Sequence, residues 1–111
     1  MRTGKTIMTP QRKRGINHLY ALRRNRGYLQ KHVARLVGHA YTQMISQYEN
    51  STSLPTLETA LALEMILGAR LSEIYVDLYH DVLLSVLKRA EDLPLHLRRS
   101  LVSRLLGKDQ L

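Results

Sequence analysis

The chain has no cysteine, phenylalanine or tryptophan among its 111 residues, only three prolines, and no Asp or Glu before position 49. Each gap removes a class of protein. Without cysteine there are no disulfides and no thiolate metal sites. The only aromatics are six tyrosines, so a core must be assembled from Leu, Ile, Val, Ala and Met. That favours packed helices over strands, which draw on β-branched and aromatic residues. No apolar run approaches the roughly 18 residues of a membrane span. The charged N-terminus lacks the apolar stretch of a signal peptide. A cytoplasmic protein with no membrane partner is expected, of a length that fits one domain and an appendage.

The missing acids leave one half of the chain with a single sign of charge. Residues 1–48 hold ten Lys and Arg and no acid, a charge of +10, and the remaining residues hold seven bases against nine acids, −2, which recovers the net +8. A basic half of this kind attracts polyanions, and phosphate backbones are the commonest in the cytosol.

Periodicity divides the chain into helices. Residues 1–14 lack it and read as a flexible basic arm, either following a DNA groove or backbone or forming a plain tail. A first helix begins near Ile16, with Leu19, Tyr20 and Leu22 at helical spacing and Asn17 or Gly15 as its cap, and ends at Gly27. A second spans Leu29 to Val37, with Val33, Ala34, Leu36 and Val37 as its stripe and Gly38 as its stop. A third runs from about Tyr41 to Glu49, with Ile45 and Tyr48 facing inward. After the loop Asn50–Pro55, Thr56 caps a fourth helix over Leu57–Leu67, which Gly68 closes. Ser72 starts a fifth that continues without Gly or Pro to about Glu91, roughly 30 Å at 1.5 Å per residue. Pro94 ends it, and a sixth covers Leu95–Leu106. The fold class is all-α: a basic arm at 1–14, a five-helix domain at 15–79 with an extended fifth helix, and a C-terminal helical extension at 80–111.

Two short helices joined by a glycine-started turn cross at a large angle, so that the first lies over a DNA backbone while the second enters the major groove. The outward residues of that second helix are Thr42, Gln43, Ser46 and Gln47, flanked by Tyr41. Gln bonds an adenine edge in bidentate fashion, and Thr and Ser bond bases or phosphates. A solvent face would instead carry Lys and Glu. These five residues form the expected base-reading set. The basic half supplies Arg23, Arg24, Arg26 and Lys31 for phosphates.

The run Gln30-Lys31-His32-Val33-Ala34-Arg35-Leu36-Val37-Gly38, followed by Ile45-Ser46-Gln47-Tyr48-Glu49-Asn50, resembles the helix-turn-helix of phage repressors and Cro, the XRE family. Leu54-Pro55-Thr56-Leu57-Glu58-Thr59-Ala60-Leu61 and Leu67-Gly68-Ala69-Arg70-Leu71-Ser72-Glu73-Ile74-Tyr75 are similar to the segments that follow in that family. The resemblance runs in order from about Ile16 to Tyr79. It implies that Gln30 bonds a phosphate, assisted by the backbone amides at its helix N-terminus. It implies further that Thr42, Gln43 and Gln47 touch base edges, that Ala34 lets the two helices approach, and that Ile45 anchors the recognition helix. Asn50 and the Ser51-Thr52-Ser53 loop match a backbone-contacting segment. One departure stands out: His39-Ala40 make the turn one residue longer than the family's commonest spacing. Alignment back from Glu49 keeps Gln43 and Gln47 outward, because i and i+4 share a face. It leaves the first contact to either Tyr41 or Thr42.

The five histidines show no metal spacing with a carboxylate, and no nucleophile elbow or phosphate-cradling glycine loop is present. No enzyme, metal or cofactor is expected. Beyond Tyr79, Val82, Val86, Leu97, Leu101 and Leu105 are too apolar for water. They either fold back or, as the favoured reading, pair across a two-fold axis. The function expected is a sequence-specific transcriptional regulator, a repressor, that binds a near-palindromic operator in double-stranded DNA as a homodimer and sits on the nucleoid when bound. The alternatives are an antitoxin that represses its own operon and a non-specific or RNA-binding basic protein. A toxin or an anti-repressor is the protein partner to look for.

Overall fold

The computed structural model describes residues 16–107; the basic arm expected at 1–14 lies outside them. Among the described residues seven α-helices follow one another: α1 (Leu19–Asn25), α2 (Gln30–Val37), α3 (Gln43–Glu49), α4 (Leu57–Leu67), α5 (Leu71–Ile74), α6 (Val76–Arg89) and α7 (Leu95–Leu106), with a 3-10 turn at Ala90–Asp92. Among the described residues there is no strand, and no helix is long and apolar enough to cross a membrane. The chain divides into two compact units, one ending at Leu78 and one beginning at Tyr79.

The first unit holds the core. Leu19, Val33, Ile45, Leu63, Leu67 and Ile74 are fully buried, drawn from five helices, and Ala34, Tyr48 and Tyr75 complete the cluster. Burying each of the large aliphatic side chains contributes about 1.5–3 kcal/mol. Around that centre α2 packs on α3 and α4, α1 on α3, and α4 on α5. Ala34 is 3% exposed where α2 meets its neighbours, and a larger side chain there would push them apart. Leu36, expected in the α2 stripe, instead faces solvent at 56% exposure.

Local chemistry sets the helix limits. Gly38 ends α2 in the left-handed region at φ 85°, where a β-carbon is costly, and so turns the chain sharply toward α3. The Thr56 hydroxyl accepts from the Thr59 N–H at 3.2 Å at the start of α4, as expected of its cap. Asn17 opens α1 by accepting the Leu19 N–H at 2.9 Å. The helix itself starts at Leu19, later than the periodicity implied.

The uninterrupted fifth helix expected from Ser72 to Glu91 does not form: α5 stops at Ile74, Tyr75 leaves helical geometry at φ −113° and ψ 60°, and α6 begins at Val76. The reason is tertiary. The Tyr75 side chain is only 8% exposed, in the core. The Ile74 carbonyl accepts from the His18 N–H at 2.8 Å rather than continuing a helical ladder. Asp77, in the first turn of α6, accepts from the Ile16 N–H at 3.0 Å.

In the second unit, α7 packs on the 3-10 turn. Ala90 is the only buried residue that this unit has among those described.

Candidate nucleic-acid interface

The reading surface is α3 and the turn before it. Ile45 is fully buried and Tyr48 is 3% exposed, so the inward edge of α3 is fixed by the core. Gln43 and Gln47, one helical turn apart, face out and are exposed, while Ser46 between them is half-buried. Tyr41 and Thr42 are exposed too, but they precede the helix: Thr42 is its N-cap residue. The five residues expected to read bases therefore lie on one short stretch. Two of them belong to the turn, and one is half-covered.

Behind that surface runs a buried polar clamp. Arg23 pairs through Nε and Nη2 with both oxygens of Glu49, the second at 3.3 Å, and its Nη1 donates to the Tyr28 carbonyl at 2.9 Å. Both side chains of the pair are 5% exposed. Gln30 joins by donating its amide to Glu49 Oε1 at 3.0 Å. The clamp thus ties α1, the start of α2 and the end of α3 into one piece. Arg23 is therefore not a phosphate ligand as expected. A guanidinium with all three nitrogens engaged and no exposed face has nothing to offer DNA, and the first acid of the chain neutralises it. Gln30 stays half-buried and donates one amide N–H to Glu49.

A second tie holds the same end of α3. The Asn17 amide donates to the Tyr48 carbonyl at 2.9 Å and to the Ser51 hydroxyl at 2.8 Å. Ser51 is 8% exposed and sits at φ 61°. This is a second correction: its hydroxyl faces Asn17 rather than a backbone phosphate. Sequence reasoning saw Asn17 only as a helix cap and missed this role.

The phosphate candidates that remain at the surface are Arg24, Arg26, Lys31 and Asn50. Arg26 is anchored, its Nε donating to the Leu67 carbonyl at 2.9 Å at the end of α4. Arg24 lies over the Tyr20 ring at 5.7 Å. Arg35, exposed one turn beyond Lys31 on α2, belongs with them, although the motif match gave it no role. It shares an open depression with Arg26, Tyr28 and His32. The His32 ring meanwhile accepts the Leu29 N–H through Nδ1 at 2.9 Å and so caps α2. Among the described residues no group of His, Asp and Glu is placed to hold a metal ion.

The turn histidine, His39, reaches the recognition helix: its Nε2 lies 2.9 Å from the Tyr48 hydroxyl, with ring centroids 5.8 Å apart. Burial pushes the Tyr48 phenol above its ordinary pKa. It raises Tyr75 further, with Tyr48 and Glu49 adding to the effect. The Tyr75 hydroxyl has no hydrogen-bond partner among the described residues.

Comparison with curated proteins and with solved structures returns no match. A helix-turn-helix family model, of the Cro/C1 type, matches residues 19–74. That span takes in every core residue of the first unit except Tyr75, and half of the chain. With α2, the glycine turn and α3 arranged as described, the chain belongs to the Cro/C1-type helix-turn-helix family, the XRE family, and is a transcriptional regulator that binds double-stranded DNA.

Proposed function

We propose that the protein represses transcription in the cytoplasm by binding a near-palindromic operator as a homodimer. Thr42, Gln43 and Gln47 read base edges, helped by Tyr41 and Ser46. Arg24, Arg26, Lys31 and Asn50 hold phosphates, joined by Gln30. The observation that carries this reading is the pair Gln43 and Gln47, exposed on a helix whose opposite edge is locked in the core by Ile45 and Tyr48. Two uncharged amides at i and i+4 suit bidentate contacts to adenine. The neighbouring basic side chains supply the sequence-independent part of the binding.

Repression needs no effector in this reading. Occupancy of an operator by a dimer excludes polymerase by itself, so expression level sets the response. Selection of binding sites from a random duplex library tests the proposal. The expected outcome is two inverted half-sites about 34 Å apart, one helical turn. A single asymmetric site, or no enrichment, would count against the dimeric operator, and equal affinity for DNA and RNA duplexes would count against base reading in the major groove.

A further inference from the structure

The turn between α2 and α3 runs from Gly38 to Thr42, and the residues after His39, namely Ala40, Tyr41 and Thr42, are all exposed. His39 is the exception. Its backbone N–H donates to the Ala34 carbonyl at 2.8 Å, finishing α2. Its ring nitrogen Nε2 meets the Tyr48 hydroxyl at 2.9 Å. One residue therefore grips the end of α2 with its backbone and the last turn of α3 with its side chain.

We propose that His39 is a positioning residue for base readout. Through Tyr48 it fixes the rotation of α3 relative to α2, and with it the places of Gln43 and Gln47. The inference rests on those glutamines reading bases, as proposed above. Side-chain tips on a helix lie about 5–6 Å from its axis, so a rotation of about 10° moves them by roughly 1 Å. A hydrogen bond tolerates only about 0.5 Å around its best length. A small rotation therefore abolishes a bidentate contact to a base edge, while long Lys and Arg side chains still follow a phosphate. Removing the His39 ring leaves Ile45 buried and the Tyr48 ring packed; what is lost is the link between turn and helix. A histidine that instead touched a phosphate directly would add to the salt dependence of binding.

The test uses the full chain and four variants, H39A, H39Q, Y48F and the H39A/Y48F pair. Each is titrated with the selected operator and with a random duplex of equal length, at several salt concentrations. H39A is expected to weaken operator binding roughly tenfold or more, as loss of one bidentate base contact does. Its affinity for the random duplex and its salt slope should stay as in the parent. Y48F should match H39A, the pair should be no worse than either alone, and H39Q, whose amide can reach the Tyr48 hydroxyl, should recover most of the loss. Equal weakening on both duplexes, a salt slope reduced by about one, or unchanged operator binding in H39A would each overturn the proposal. Amide exchange of the DNA-free protein keeps the two readings apart. The link predicts exchange in α3 faster by roughly three- to tenfold in H39A, the size of one lost hydrogen bond, and restored in H39Q. If the parent fails to discriminate between the duplexes but this exchange pattern holds, base reading fails and the His39 link stands; unchanged exchange removes the link itself.

Discussion

At the residue scale, Arg23 and Glu49 close an ion pair whose two side chains are each 5% exposed. Arg23, Arg24 and Arg26 look alike in a run that meets no acid until Glu49, and nothing in composition tells which of them turns inward. The fold decides it: Arg23 lies on the same edge of α1 as Leu19 and is drawn against Glu49. Breaking such a buried pair from one side costs about 3–5 kcal/mol, because the remaining charge is left without a partner. Replacing Arg23 by Met should therefore lower the melting temperature by more than about 10 °C. Lys31→Ala should leave it unchanged and flatten the salt dependence of DNA binding instead. Calorimetry and salt titration of the two variants separate the roles; equal stability would show that Arg23 is a surface cation after all.

Tyr75 carries a prediction of another kind at the same scale. Its phenol is raised above the ordinary tyrosine value of about 10, mainly by burial. The unfolded chain therefore loses this proton first. Its contribution is whole below the unfolded value and falls away as pH rises from there toward the higher folded value, by up to about 1.4 kcal/mol per pH unit. Denaturant melts of the parent and of Tyr75→Phe should diverge above about pH 10, the parent losing stability faster. At neutral pH the Phe variant should be equal or slightly more stable, since the hydroxyl it removes makes no hydrogen bond to the described residues and a buried group without one is costly. A parallel decline of both proteins would contradict the assignment.

At the scale of elements, the sequence is most legible where one residue type dictates the outcome. Gly38 and Gly68 stop α2 and α4 at the expected places, and Thr56 and Pro94 start α4 and α7. The edge of α3 was readable as well, since Ile45 and Tyr48 at i and i+3 leave only one way to bury the helix. The division at Tyr75 was not readable. Leu71, Ile74 and Leu78 keep helical spacing straight through it, and neither Gly nor Pro marks it. It arises because distant groups, the His18 N–H and the core around Tyr75, compete with helix continuation. The reading face makes its prediction here. Gln43→Ala and Gln47→Ala should each weaken operator binding by about 1–3 kcal/mol and relax preference at one base pair. Because the two occupy successive turns of one helix, the relaxed positions should differ. Repeating the site selection with each variant checks this, and loss of affinity with unchanged preference would move both residues to the phosphate set.

At the scale of the whole molecule, the two units differ in how completely they satisfy their own apolar residues. The first has six fully buried aliphatic side chains. Among the described residues the second buries only Ala90; Val86, Leu101 and Leu105 are half-covered, and Val82 and Leu97 are 52% and 48% exposed. So much aliphatic surface in so short a segment is costly in water, and a second copy of the same segment is the partner always at hand. Pairing of two such segments would build a shared helical bundle from a and d type positions. It would also join two weak half-site contacts into one strong one by raising their effective concentration. The full chain should therefore sediment as a dimer, and Val86→Asp or Leu101→Asp should yield monomers whose first unit still melts cooperatively. Those monomers should bind an isolated half-site as well as the parent does and the full operator at least roughly a hundredfold more weakly, the gain that linking two sites gives. A chain ending at Leu78 should behave as they do, because the core cluster from Leu19 to Tyr75 lies entirely within it. Persistence of the dimer in that shortened chain would move the interface to the first unit. A monomeric full chain that co-purifies with a different protein would give the apolar helices to that partner, as the antitoxin reading requires.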